Sequence, residues 1–140
     1  MDTESFITFD IFKAYPELLC VFTTRNGGLS AGDFTSLNMG LKTGESFDFV
    51  QANRSLLYNF LNISESQIAY QEQIHSSNLK HITKPGIYAK ADAMICSVKR
   101  VFLTILTADC FPVFLYAKKE KVISVIHIGW RGAVLKIIEN

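Results

Sequence analysis

Val122-Ile123-Ser124-Val125-Ile126-His127-Ile128-Gly129-Trp130-Arg131-Gly132 passes from an unbroken β-branched run into a glycine-flanked turn. Val122–Ile126 has the composition of a buried strand, and Gly129–Gly132 hands it to a helix predicted to begin near Ala133. Working back along the chain, the same signals predict strands at Val113–Ala117, Val101–Thr107, Ala93–Val98, Leu79–Thr83 and Gln67–Gln71, with an earlier one at Leu18–Thr24. Lys118-Lys119-Glu120-Lys121 reads as a solvated hairpin tip. One helix stands out, with Phe49, Val50, Leu56, Leu57, Phe60 and Leu61 on one face, Ser46 as N-cap, Asp48 in the first turn and an end near Asn62. The fold class is therefore α+β, with mixed β-sheets and helices packed outside.

From Asn26 to Gly44 the chain carries five of its eight glycines together with Ser30, Asp33, Ser36 and Asn38. This is a long polar loop, and loops of that length in compact domains usually carry function. With 140 residues the chain is expected to form a single domain over 1–140. The closing helix reaches only about two turns before Asn140, fewer than the three or so usual for globular helices, so a longer natural domain is expected, of which this is the N-terminal part.

Composition narrows the class of function. Apolar residues make up 49% and charged residues 19%, which belongs to a globular protein. The 14 Lys+Arg against 13 Asp+Glu give a net charge of +1, so nothing electrostatic recommends a nucleic-acid or anionic-membrane partner. Val101–Ala117 is the most apolar stretch, but Thr104, Thr107, Asp109 and Pro112 interrupt it and it is too short to span a bilayer. Cys20, Cys96 and Cys110 are odd in number, form no CxxC and follow no secretory leader, so the expected compartment is the reducing cytoplasm. Small-molecule chemistry is the expectation, with the oligomeric state left open.

Three segments end in residues that bind soft divalent metals: Gln73-Ile74-His75, Ala108-Asp109-Cys110 and the run ending at His127. Two imidazoles and a thiolate leave one tetrahedral position free, which suits a catalytic zinc better than a closed structural one. The spacing itself is a weak signal, because common zinc motifs pair ligands about two to four residues apart. Each residue has a plainer reading. Cys110 is either a packed thiol or a ligand. It is expected to follow a strand that Pro112 breaks, turning the thiol toward a cavity, and Asp109 is an unusual neighbour for a core cysteine. His127 taken singly reads as a core imidazole, and His75 merely begins a polar loop. His81 is assigned to the scaffold. Gly129-Trp130-Arg131-Gly132 offers backbone donors and Arg131 to an anion, or else Trp130 packs and Arg131 is a surface charge. Arg25, Ser36 and Asn38 around the long loop suit phosphate or sugar hydroxyls, or are ordinary turn residues. Asp92 in Ala91-Asp92-Ala93 is an acid at a strand start.

Taken together, Phe22–Ser30, Ser36-Leu37-Asn38, Gln73-Ile74-His75, Ala91-Asp92-Ala93, Thr107–Pro112 and His127–Gly132 resemble, in order, the motifs of the laccase-domain family, also called YfiH-like or polyphenol oxidase family proteins. The resemblance runs from about Phe22 to the C-terminus and implies a YfiH-like α/β sandwich, incomplete at its C-terminal end. It implies a zinc-dependent purine nucleoside phosphorylase that converts adenosine, inosine or methylthioadenosine and phosphate to free base and ribose 1-phosphate, and that also deaminates adenosine. Carried over by position, His75, Cys110 and His127 would hold Zn2+. Asp92 and Asp109 would move protons, Arg25 or Arg131 would hold phosphate, and Ser36 and Asn38 would meet sugar or phosphate oxygens. The chain departs from the family in lacking a second half and in having Ser76 where glycine is common. The family's older name suggests multicopper oxidation, but three histidines without a His-x-His pair are too few for several copper centres. Two other readings stand beside this one: a metal-free hydrolase in which His127 activates Cys110, and a non-catalytic module that binds a nucleoside or a protein.

Overall fold

A computed structural model describes residues 5–140. The chain forms two compact units, one reaching to Ile63 and the other Ser64–Asn140.

The first unit is built from little regular structure. β1 (Phe6–Ile7) pairs antiparallel with β2 (Phe22–Thr23), and α1 spans Phe47–Phe60. The strand predicted over Leu18–Thr24 shrinks to those two residues of β2. Phe6 stacks on Phe60 with ring centroids 4.9 Å apart. The buried stripe of α1 is Val50, Asn53, Arg54, Leu57 and Tyr58, whereas Phe49 and Phe60 stay half exposed. This corrects the predicted face. The stripe keeps helical spacing, but two of its members are polar because the long loop needs donors and acceptors for its backbone. Leu29 N–H donates to Asn53 Oδ1 (2.8 Å), and Asn53 Nδ2 donates to Ser30 Oγ (2.8 Å) and Asn38 O (2.9 Å). Arg54 Nε and Nη2 both donate to Met39 O. Gly28 is required where it is, since a Cβ there would collide with Ser36 O.

The second unit faces two sheets across one core. β3 (Ile68–Gln71), β5 (Gly86–Tyr88) and β7 (Phe102–Thr104) form a parallel sheet in the order β5-β3-β7. β4 (Leu79–Ile82), β6 (Ala93–Cys96), β9 (Val122–Ile128) and β8 (Phe111–Ala117) form a mixed sheet in the order β4-β6-β9-β8. Ala69 from the first sheet and Ile82, Met94, Cys96 and Val125 from the second meet with Val101, backed by Tyr88, Leu103, Ile105, Phe114 and Ile123. The two-residue alternation of β9 sends Val125 into this core and Ile126 to the opposite face, against Ala93, Ile137 and Val113. These mixed sheets with two helices confirm the α+β class.

Three local expectations change. Pro112 does not break a strand: it lies in β8, opposite His127, and β8 is an edge strand, where a missing N–H is tolerated. Cys110 thus precedes a strand rather than following one. β5 was hidden behind Lys84-Pro85-Gly86, whose turn signals mask its three residues. α2 (Trp130–Val134) starts earlier than Ala133, with Gly129 at its N-cap. Cys20, Cys96 and Cys110 are free thiols, and burial pushes the Cys20 thiol up to about 11. No helix among the described residues is long and apolar enough to cross a membrane.

Asn53→Ala is expected to destabilise the protein by about 2 kcal/mol or more, because it strands one buried donor and two acceptors of the long loop. Urea unfolding checks this, and a loss below about 0.5 kcal/mol would mean that the loop does not depend on Asn53.

Candidate metal centre

The ligand-bearing loops lie at the ends of strands of the second unit, and particular side chains hold them together. After β3 the chain turns at His75, whose φ is 58°. The turn aims successive N–H groups at one carboxylate. Ile74 N–H (3.3 Å) and Ser76 N–H (2.7 Å) donate to Asp92 Oδ2, and His75 N–H (3.0 Å) donates to Asp92 Oδ1. The Ser76 hydroxyl adds a fourth bond to Oδ2 (2.7 Å). Gln73 ties the same loop to the one that carries Cys110. Its Nε2 donates to Leu106 O (2.7 Å) and its Oε1 accepts from Leu106 N–H (2.8 Å), so the side-chain amide continues the β3–β7 ladder past the end of both strands.

Cys110 follows Asp109, whose φ of 66° turns the chain just before β8. Cys110 Sγ lies 3.9 Å from His75 Nε2. His127 reaches the same place from β9. It is 3% exposed, its backbone N–H donates to Asp92 O (2.7 Å), and its Nδ1 lies 2.9 Å from Asp92 Oδ1. The rings of His75 and His127 meet edge to face, with centroids 4.9 Å apart.

One donor atom each from His75, Cys110 and His127 lies within 4.8 Å of the others. Tetrahedral zinc at ordinary Zn–N and Zn–S lengths separates such donors by about 3.3–3.6 Å, so small side-chain rotations close the set. The backbone of Gly129 passes close against the donors, where only glycine fits without a collision. A Cβ on Gly129 would stand 2.6 Å from His75 Cδ2 and 3.4 Å from both Cys110 Sγ and His75 Nε2. The donor types and their mutual distances fit a soft divalent ion. His127 is buried, Cys110 partly so and His75 exposed, which leaves the cluster closed on one side and open on the other.

Asp92 is fully buried. Burial pushes its pKa up, but the bonds from Ser76 N–H, His127, the Ser76 hydroxyl and His75 N–H outweigh burial and hold the carboxyl below the usual carboxylate range. Asp109 is exposed beside Cys110, and Arg131 is exposed in the first turn of α2 with its guanidinium 5.3 Å from the Trp130 ring. The candidates of the first unit are bound up in its loop. Arg25 Nε donates to Thr35 O, Ser36 Oγ accepts from Gly28 N–H and donates to Arg25 O, and Asn38 Nδ2 donates to Thr43 Oγ1 and Glu45 Oε2. Sequence reasoning overlooked Gln73, Ser76 and Gly129 as builders of the centre. An amide two residues before a ligand has no signature of its own.

Residues 19–140 match the family described as the multi-copper polyphenol oxidoreductase laccase. The chain belongs to that family. Within it, a purine nucleoside phosphorylase of Corynebacterium glutamicum is 35% identical over 117 residues, covering 81% of this chain and 48% of the relative. The purine nucleoside phosphorylase YlmD of Bacillus subtilis is 31% identical over 131 residues, covering 86% and 47%. Among solved structures, the hypothetical protein YfiH of Bacillus licheniformis superposes with a TM-score of 0.81 at 28% identity, over 84% of this chain and 48% of that one. YlmD of Geobacillus stearothermophilus gives 0.80 at 30% identity, over 82% and 46%. This laccase-family chain thus spans about half the length of the relatives it matches.

Gly129→Ala is expected to weaken binding of added divalent metal at least about tenfold while changing the apo melting temperature little, because the Gly129 φ of −82° suits any residue and the new methyl would push aside the exposed His75 ring, which it would otherwise meet at 2.6 Å. Competition with a chromophoric chelator measures the first quantity and calorimetry the second.

Proposed function

We propose that this chain carries the metal centre of a zinc-dependent purine nucleoside phosphorylase that also deaminates adenosine. The observation that carries the reading is the convergence of His75, Cys110 and His127, buried at His127 and exposed at His75, in a chain whose relatives bear the name purine nucleoside phosphorylase. Zinc held by those three side chains supplies, when bound, a Lewis acid that strengthens an oxygen nucleophile near neutral pH.

The chain's own residues supply the remaining functions. In phosphorolysis a phosphate oxygen bonds to C1′ of the ribose while the C1′–N9 bond breaks. The base departs with the electron pair and takes up a proton. Arg131, exposed one residue after Trp130, suits the phosphate, and it holds an anion better than lysine because its fork can donate twice. Asp109, exposed and adjoining Cys110, would carry protons. Phe111 and Trp130, 74% and 72% exposed, directly follow Cys110 and Gly129 in the chain and offer faces on which a purine can stack. Arg25, Ser36 and Asn38 are left to the loop they build.

A second reading has one observation of its own. The 3.9 Å approach of Cys110 Sγ to His75 Nε2 allows a thiol–imidazole dyad, with His75 rather than His127 as the base. One assay separates the possibilities: inosine and adenosine with and without phosphate and chelator, with zinc determined by elemental analysis. Phosphate-dependent release of hypoxanthine from inosine, lost on chelation and restored by zinc, is the expected result. Cys110→Ala should lose both zinc and at least about a hundredfold in turnover. Hydrolysis that survives chelation would instead support the dyad, and no turnover of either nucleoside would leave a binding module.

A further inference from the structure

We propose that Asp92 is a positioning residue, one carboxylate that orients both imidazoles of the centre and takes no proton from substrate. The inference deepens the metal-site reading and rests on it for its consequence.

Asp92 Oδ1 receives His75 N–H and the His127 ring, while Oδ2 receives Ile74 N–H, Ser76 N–H and the Ser76 hydroxyl. A carboxylate offers about four lone-pair positions. Five donors fill them, and the group is 0% exposed. Nothing remains with which to reach a nucleoside, so the proton-carrying role suggested by its place in the sequence does not suit the side chain it proves to be. The same saturation fixes two geometries. An ionised carboxylate only accepts, so the ring nitrogen that faces it, His127 Nδ1, carries a proton, and of the two tautomers of a neutral ring only the one that leaves Nε2 free for a metal fits. The bonds to Ile74, His75 and Ser76 set the turn that delivers the second ring, whose Nε2 lies beside Cys110 Sγ. Carboxylates behind ligating histidines are a general device for fixing tautomer and ring orientation. Here one group serves two ligands.

Two measurements test this. The first uses the wild-type apo protein, labelled with 15N, at about pH 8, where an unperturbed imidazole is neutral. The chain holds three histidines, so long-range 1H–15N spectra resolve each ring, with the exposed His81 as reference. The expected result is a single His127 tautomer protonated at Nδ1. Protonation at Nε2, or a tautomer mixture like that of His81, would overturn the proposal. The second compares Asp92→Asn with wild type by chelator competition for zinc and by the absorption of the cobalt-loaded forms. Asparagine turns donors toward the donors of Ser76, so zinc affinity should fall about 10- to 100-fold and the cobalt bands should shift. Affinity within twofold of wild type with unchanged bands would also refute the role. If Asp92→Asn fails to fold, the tautomer decides. If wild-type protein binds neither metal, the metal-site reading fails while the tautomer still decides on Asp92.

Discussion

A buried carboxylate is a constraint that the surrounding chain must satisfy, and around Asp92 most of the centre takes shape. Leaving such a charge uncompensated in a protein interior costs about 3–5 kcal/mol. The chain answers with consecutive N–H groups from Ile74, His75 and Ser76, which point the same way only because His75 adopts a left-handed backbone. For a non-glycine residue that conformation costs about 1–2 kcal/mol. The charge-assisted bonds it permits are each worth about as much, so the strained turn is stable where it stands. Asp92 is also part of the sheet by its main chain: its N–H donates to Asn78 O and its carbonyl accepts from His127 N–H. Side chain and backbone therefore register the His75 loop against β9.

The three ligands reach a common point because two devices extend the sheets past their formal ends. Asp92 joins the loop after β3 to the strand carrying His127, and the Gln73 amide joins that loop to the one carrying Cys110. Neither device is a strand, yet both satisfy backbone groups that would otherwise be unpaired at a sheet end. The centre is thus an extension of the scaffold on the side of His127 and reaches solvent at His75.

Much of this was legible in the sequence. The β-branched runs located six strands of the second unit, and donor chemistry together with the family resemblance pointed to His75, Cys110 and His127, which the fold brings together. What escaped has physical causes. A proline signals the end of a ladder, but β8 is an edge strand, where Pro112 is tolerated. Hydrophobic periodicity on α1 selected Phe49 and Phe60, whereas the buried stripe includes Asn53 and Arg54, whose value lies in the loop atoms they bond rather than in their own hydropathy. Asp92 looked like an acid available for chemistry because its partners lie 16 to 35 residues away along the chain, and only folding brings them to it.

That distance also shapes how the fold and a metal would depend on each other. His75 and Cys110 are 35 residues apart, and an unfolded chain has no means of presenting both at once. An ion that binds the native arrangement and not the unfolded one stabilises the former in proportion to the logarithm of its concentration over its dissociation constant. The scaffold has already met most of the ordering cost through Asp92 and Gln73, so binding free energy is not consumed in assembling the loops. Affinity then reflects the donors themselves and the close approach of Gly129 to them. A preorganised set with one exposed and one buried histidine keeps its exposed side in a fixed place, and the chain immediately next to Cys110 and Gly129 carries the exposed side chains of Asp109, Phe111, Trp130 and Arg131.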